Sequence, residues 1–143
     1  MAFALSSVIR RHMKRTTRYF EPDGVAQVPA VTGMSHGDEI LGWYRNPSPW
    51  ENSVIVFTDK AIYSMDGEVV ARTDIQEIID YNLPKSKVEV TGLRVRTRDG
   101  FRFLRASGSF GPRENFKDAF CLIQVIRAIA RRNHIEKKVP PAS

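Results

Sequence analysis

The sequence feature that most constrains the fold is a pair of apolar runs, residues 53–57 and 61–64, separated by a polar Thr-Asp-Lys triplet. Both runs are rich in β-branched and aromatic residues, which predicts a β-hairpin with the triplet as its turn. The first run is apolar at four consecutive positions, so we expect a strand that is covered on both faces. Two- and three-residue loops both fit the turn, because each leaves Phe57 packed against Ile62 or Tyr63.

The chain on either side of this hairpin predicts further antiparallel strands. Strands are expected at residues 39–44, 68–72 and about 77–82, and residues 88–90 are a candidate for another. One short extended piece is expected at residues 25–28. A turn at Asp74 leads into the strand at 77–82. Residues 46–49 form a loop because they contain two prolines. The neighbouring Trp50 is either a lid over the core or an exposed anchor, and we favour the lid because tryptophan prefers burial.

An apolar stripe near the end of the sequence predicts one amphipathic helix, with Asn115 as its cap. The stripe has helical spacing and consists of Phe116, Ala119, Phe120, Ile123, Ile126 and Ala130. The single cysteine, Cys121, lies within it and is expected to be a small buried side chain. Three arginines, Arg127, Arg131 and Arg132, suit the negative C-terminal pole of such a helix.

Residues 93–103 predict a second hairpin, and its loop decides which face the arginines occupy. A two-residue Asp-Gly loop places Phe101 and Phe103 on the arginine face, whereas a three-residue loop that pairs Thr97 with Phe101 sends both phenylalanines inward. We favour the three-residue loop because the core needs apolar side chains, and a slip of one residue moves every side chain across the sheet. This choice leaves four arginines together on the outer face: Arg94, Arg96, Arg98 and Arg102.

Two interpretations of these four arginines remain open. Residues 21–92 carry a charge of −7 and could supply counter-charges, since residues 93–143 carry +8. Alternatively, the arginines form a contact face for phosphate or carboxylate groups, which guanidinium groups bind well. Phenylalanines beside arginines also occur in nucleic-acid platforms, but we interpret these phenylalanines as core residues and expect no nucleic-acid partner.

The N-terminal segment is a second basic region. Residues 1–20 carry +5, and residues 2–18 predict an amphipathic helix. We favour a helix docked on the domain or a frayed tail; the alternative is a contact with an anionic membrane surface. Its candidate contact residues are Arg10, Arg11, Lys14 and Arg15.

The sequence contains no recognisable catalytic or metal-binding pattern. The three histidines, His12, His36 and His134, lack metal-ligand spacing, and neither a phosphate-cradling glycine-rich loop nor a nucleophile motif occurs. We therefore expect no enzyme activity, no cofactor, no metal and no small-molecule substrate. No apolar run is long enough to span a membrane, and the N-terminus does not have the pattern of a secretory signal.

Several of these segments together resemble the bacterial PH-like and GRAM-like domains of the pleckstrin-homology superfold. The resemblance covers residues 37–132 and rests on three motifs in order, followed by the arginine hairpin and the apolar helix. The motifs are Gly37-Asp38-Glu39-Ile40-Leu41, then Val54 through the Thr58-Asp59-Lys60 turn to Tyr63, then Thr73-Asp74-Ile75-Gln76-Glu77-Ile78.

This resemblance implies a mainly β, α+β fold. Seven antiparallel strands would form two nearly orthogonal sheets, as a barrel or sandwich closed by the C-terminal helix, with an extra N-terminal helix. Residues 1–36 would be a basic helix and linker, 37–132 the PH-like domain and 133–143 a tail. Members of the superfold are mostly binding modules, so we expect a cytoplasmic protein that self-associates, binds a protein partner or touches an anionic membrane. Several basic residues surround the first hairpin loop of phosphoinositide-binding members, but residues 44–52 contain only Arg45, which does not predict that kind of headgroup recognition.

Overall fold

The chain folds into two antiparallel sheets and two helices. The computed structural model describes residues 4–16, 18–22, 31, 37–47, 50–67, 69–82, 92–106 and 111–138, with side chains of the last helix described over 117–134. The expected extended piece at 25–28 and the candidate strand at 88–90 lie outside the described residues. Among the described residues the fold is mainly β with eight strands, and no closed barrel forms.

The larger sheet has five strands in sequential order. These are β1 (Tyr19–Phe20), β2 (Ile40–Arg45), β3 (Ser53–Thr58), β4 (Ala61–Asp66) and β5 (Val69–Asp74). The strand β3 is buried at every position, which confirms the expectation of two-sided cover. The hairpin loop between β3 and β4 has two residues, so Phe57 pairs with Ile62 and the open question of register is answered.

The smaller sheet has three strands, also in sequential order. A 3-10 turn over Ile75–Glu77 leads into β6 (Ile78–Asn82), followed by β7 (Gly92–Thr97) and β8 (Gly100–Arg105). Asp74 caps the 3-10 turn by accepting a hydrogen bond from the Gln76 backbone N–H, which confirms the predicted turn and the strand after it.

One of the two helices covers the inner side of the smaller sheet, and the other helix packs on it. Helix α2 (Gly111–Lys138) packs on β6 and β7, and α1 (Leu5–Met13) packs on α2. Ile9 and Met13 of α1 are fully buried in the main core, so the N-terminal helix is docked on the domain as expected. Cys121 is buried in the same core, and burial raises the pKa of its thiol.

Helix α2 is longer than the sequence predicted. It begins at Gly111, so Asn115 lies inside the helix and the prediction of an Asn115 cap is wrong. Pro112 occupies the first turn, where a missing N–H costs nothing. The helix continues to Lys138, so residues 133–138, expected in the tail, belong to it.

A threonine closes each of the two hairpin loops. In the first, Thr58 Oγ1 donates to the Ala61 carbonyl at 2.9 Å and accepts from the Ala61 N–H. In the second, Thr97 Oγ1 donates to the Gly100 carbonyl at 3.1 Å, and Gly100 has a φ of +137° that glycine tolerates. Both loops therefore contain two residues between a buried threonine and a small residue.

Candidate functional site

The outer face of the smaller sheet carries alternating arginine and aromatic side chains. Because Thr97 pairs with Gly100, Arg96 lies opposite Phe101 and Arg94 lies opposite Phe103. Directly opposed residues share a face of an antiparallel pair. We call this surface the arginine–aromatic face and define it by six residues: Trp50, Arg94, Arg96, Phe101, Phe103 and Arg105.

This register contradicts the predicted three-residue loop. Arg102 lies opposite Val95 on the other side of the sheet, so the four predicted arginines do not share one face. The physical reason is Leu104, which pairs with Leu93 and enters the core. Residues 101 and 104 face opposite sides of the strand, so burying Leu104 turns Phe101 outward.

The aromatic rings of this face are exposed to an unusual degree. Phe101 and Phe103 are each 47% exposed and Trp50 is 42% exposed, although aromatic side chains usually gain from burial. The guanidinium carbon of Arg94 lies 4.9 Å from the ring centroid of Phe101, within cation–π distance. The arginines therefore lie against the rings, and the rings still reach solvent.

Arg105 joins the loop between β2 and β3 to this face. Its guanidinium carbon lies 3.8 Å from the ring of Trp50 and 5.4 Å from that of Phe103. Trp50 was expected to be a lid over the core, and its exposure shows that this expectation is wrong. Its aromatic surface is presented beside the hairpin, so the two segments form one surface.

A buried asparagine holds the Trp50 loop in place. Asn46 is fully buried, and its Nδ2 donates to the Ser53 carbonyl at 2.8 Å and to the Arg105 carbonyl at 2.9 Å. The Trp50 N–H donates to the Pro47 carbonyl at 2.8 Å, which tightens the turn. Asn46 thus links the start of the loop to the end of β8 and fixes Trp50 near Arg105.

Gly92 provides the space in which Phe103 lies. A Cβ at Gly92 would lie 2.6 Å from Phe103 Cζ and would overlap the Leu104 carbonyl oxygen. The ring therefore covers the glycine across the strand pair, an arrangement known from other sheets in which an aromatic ring shields a glycine. This contact positions Phe103 without burying it.

Two of the predicted hairpin arginines, Arg94 and Arg96, lie on the arginine–aromatic face. Arg98 is exposed in the two-residue loop at its tip. Among the described residues, none of the hairpin arginines forms an ion pair with a carboxylate. In the described part of the chain, acidic residues from the middle of the sequence therefore do not neutralise the hairpin arginines.

The N-terminal basic residues lie elsewhere. Arg10 donates to both carboxylate oxygens of Glu21 at 3.0 and 3.1 Å, and Lys14 Nζ lies 3.9 Å from the same carboxylate. These hydrogen bonds lower the pKa of Glu21. Arg11 and Arg15 are exposed. Since α1 packs on α2, at the inner side of the smaller sheet, the two predicted basic clusters do not share a surface.

A buried polar cluster on the larger sheet joins the residues just before β2 to β4 and β5. Asp38 accepts a hydrogen bond from the Tyr63 hydroxyl at 2.6 Å and is ion-paired with Arg72 at 3.4 Å. Burial raises the pKa of Asp38, but these hydrogen bonds outweigh it and hold the pKa below its usual value. Every member has a partner within the cluster, which is typical of a structural network.

Other kinds of site are not seen in the part of the chain that the structure describes. No group of three or more potential metal ligands comes together there. None of the described helices has the length and apolarity needed to cross a bilayer.

Sequence reasoning named Arg94 and Arg96 but missed the aromatic half of the face. Trp50, Phe101 and Phe103 were assigned to the core, and Arg105 was not considered. The signal that could have placed Phe101 and Phe103 on this face is the threonine: Thr97-Arg98-Asp99-Gly100 repeats the pattern of Thr58-Asp59-Lys60-Ala61. A two-residue loop in both places gives the observed register.

Comparisons with protein-family models, with curated proteins and with solved structures find no match to this chain.

Proposed function

We propose that the protein is a non-enzymatic, PH-like binding module whose arginine–aromatic face docks on an anionic membrane surface. One observation carries this proposal: three aromatic rings that are 42–47% exposed lie among arginines without a described counter-charge. The exposed rings and the unpaired positive charge call for a partner that is apolar and negatively charged at one surface.

A membrane interface has both properties. Tryptophan and other amphipathic rings favour the headgroup level, and arginine stems lie along apolar surface while the guanidinium stays hydrated. Each basic residue held near an anionic leaflet contributes about 1 kcal/mol. Arg94, Arg96 and Arg98 would therefore contribute about 3 kcal/mol in total, and the rings would add the free energy of their partial burial.

The order of elements supports the PH-like part of the proposal. A four-stranded meander, β2 to β5, precedes a three-stranded meander, β6 to β8, and a long helix follows. The sequence resemblance implies seven strands in two sheets followed by a helix, and β1 is an additional strand in front of them. Members of that superfold are mostly binding modules, but a fold alone does not fix a function, so the surface carries the argument.

A protein partner is the second candidate, because the same composition favours it. Tryptophan and arginine are over-represented among the residues that dominate protein–protein binding energies. A second copy of the chain is one such partner. The outcomes below separate this candidate from a membrane.

The test is co-sedimentation with vesicles of phosphatidylcholine and phosphatidylserine, using Arg94→Gln/Arg96→Gln and the matched control Arg11→Gln/Arg15→Gln. Both double variants remove two exposed positive charges. Losing two arginines from the docking surface removes about 2 kcal/mol, which is a roughly 30-fold loss in partition coefficient. The control should bind within about twofold of the wild type, and raising the salt concentration should weaken binding of both.

Equal losses in both variants would show that only net charge matters and would contradict the proposed face. Binding that is the same on pure phosphatidylcholine would also contradict it. The outcome that favours a protein partner over a membrane is a protein that binds none of the vesicles and elutes from a size-exclusion column as a dimer, with Phe101→Thr eluting as a monomer.

A further inference from the structure

A cleft between α1 and α2 forms a second basic site. It has a volume of about 330 Å³ and is lined by His12 from α1 and by Gln124, Arg127, Ala128 and Arg131 from α2. Small-molecule sites have volumes of about 300–1,000 Å³, so the cleft is large enough for a small ligand. Its described lining contains two guanidinium groups, an imidazole and an amide, and no carboxylate.

The two arginines of the cleft lack a structural explanation. They are four residues apart on one face of α2, where like charges destabilise a helix. The sequence suggested that they stabilise the C-terminal pole, but α2 continues to Lys138, and the effect of the pole is limited to the last turn. Neither has an ion-pair partner among the described residues. Their position favours a bound anion as the missing partner.

His12 supplies an independent observation. Its Nδ1 atom is buried and has no hydrogen-bond partner in the described structure, which leaves a polar group unsatisfied and is unfavourable. Burial lowers the pKa of His12, and Arg11 and Arg15 lower it further. The neutral ring keeps one N–H donor and one acceptor nitrogen, and an additional positive charge there would be unfavourable without an anion.

We propose that this cleft binds a phosphate-bearing ligand. Arg127 and Arg131 would each donate to phosphate oxygens, as guanidinium groups do well, and the Gln124 amide and the His12 ring would offer further donors. A phosphate carries up to two negative charges and several acceptor oxygens, so it matches two guanidinium groups better than a single carboxylate does.

This site is separate from the arginine–aromatic face. Helix α2 packs on the inner side of β6 and β7, whereas Arg94 and Arg96 lie on the outer side. Ligand binding in the cleft therefore does not depend on membrane docking, and each proposal can fail while the other holds.

The test is a titration of the full chain with sodium pyrophosphate. Isothermal titration calorimetry measures the binding, and NMR records the imidazole resonances of His12. Wild-type protein should bind with saturation, and the His12 resonances should shift. Arg127→Gln/Arg131→Gln should weaken binding about tenfold or more, because both charged donors to the phosphate oxygens are lost. Both positions are exposed and glutamine favours helices, so the variant should stay folded, which circular dichroism checks.

The matched control is Lys60→Gln/Lys117→Gln, which loses the same charge at two exposed positions outside both proposed surfaces and should bind pyrophosphate within about twofold of the wild type. Equal weakening of both double variants, or His12 resonances that do not move, would overturn the proposal. Vesicles that contain phosphatidic acid identify the source of the phosphate. A sedimentation loss specific to Arg127→Gln/Arg131→Gln assigns a lipid headgroup, and pyrophosphate binding without that loss assigns a soluble ligand.

Discussion

Leu104 and Phe101 lie on the same strand but face opposite sides of the sheet, and their roles can be tested by substituting each with threonine. Leu104 is 1% exposed in the main core, and Phe101 is 47% exposed on the arginine–aromatic face. Threonine is well tolerated in strands, so the two variants, Leu104→Thr and Phe101→Thr, differ mainly in what the original side chain contacted. We expect Leu104→Thr to destabilise the protein far more.

The magnitudes follow from burial. Shortening a buried leucine costs about 2–5 kcal/mol, and a threonine there also buries a hydroxyl, so we expect about 3–5 kcal/mol for Leu104→Thr. A fully buried aromatic ring removes about 150–250 Å² from water, so Phe101 has roughly 100 Å² covered. Threonine retains part of this cover, and at about 25 cal/mol per Å² the loss is about 1 kcal/mol.

Urea unfolding measured by tryptophan fluorescence compares the two variants directly. With a slope of about 2 kcal/mol per molar urea, the midpoint should fall by about 1.5–2.5 M for Leu104→Thr and by about 0.5 M for Phe101→Thr. If Phe101→Thr is the more destabilising variant, the phenylalanines face the core. The arginine–aromatic face would then not exist as described.

Three further predictions concern stability. Gly92→Ala should lower the free energy of unfolding and displace the Phe103 ring, because there is no space for the alanine Cβ. Urea unfolding and the NMR signals of the Phe103 ring check this, and unchanged values would contradict it. Asn46→Ala should cost about 2–4 kcal/mol because two carbonyls lose their donor, and it should change the Trp50 emission; a loss below 1 kcal/mol would contradict the anchoring role. Asp38 stabilises the fold above its unfolded pKa near 3.8 and loses this effect as the pH falls, because its folded pKa is lowered. Asp38→Asn should therefore be less stable at neutral pH and show a shallower loss of stability in acid, and an unchanged pH profile would contradict the role of Asp38.

Local patterns in the sequence predicted much of the larger sheet. The strand β3 is apolar at consecutive positions, and this pattern indicated its two-sided burial without any knowledge of the partners. Asp74 likewise predicted its own turn, because an aspartate side chain can cap a short helical turn from the residue before it. Such features depend on a few neighbouring residues. The two-residue strand β1 was not predicted, because its pairing with β2 depends on contacts across a long stretch of chain.

The register of the second hairpin could not be predicted from the same kind of pattern. Phe101 and Phe103 are the largest apolar residues of the hairpin, and the expectation that they face the core ignored Leu104 and Ala106, which alternate with them. Both sets have the period of a strand, so periodicity alone cannot choose between them. Burial of Leu104 and the closing hydrogen bonds of Thr97 together select the register, and the Thr-x-x-Gly pattern of residues 97–100 is their signal in the sequence.

The candidate site depends on that register, so it could be predicted only in part. Charge alone identified Arg94 and Arg96. The approach of Trp50 to Arg105 joins segments that are far apart in the sequence, and a buried asparagine holds them together. No short motif indicates such a contact.

The proposed membrane docking is tested most directly by the fluorescence of Trp50. Trp43 is 1% exposed and should not respond to vesicles, so the Trp50→Phe variant provides the background signal. On addition of phosphatidylserine-containing vesicles, we expect the emission of the wild type to shift to shorter wavelengths and to be quenched by lipids brominated near the headgroup, with neither change in Trp50→Phe. If the protein sediments with the vesicles while the Trp50 emission stays unchanged, the arginine–aromatic face is not the docking surface.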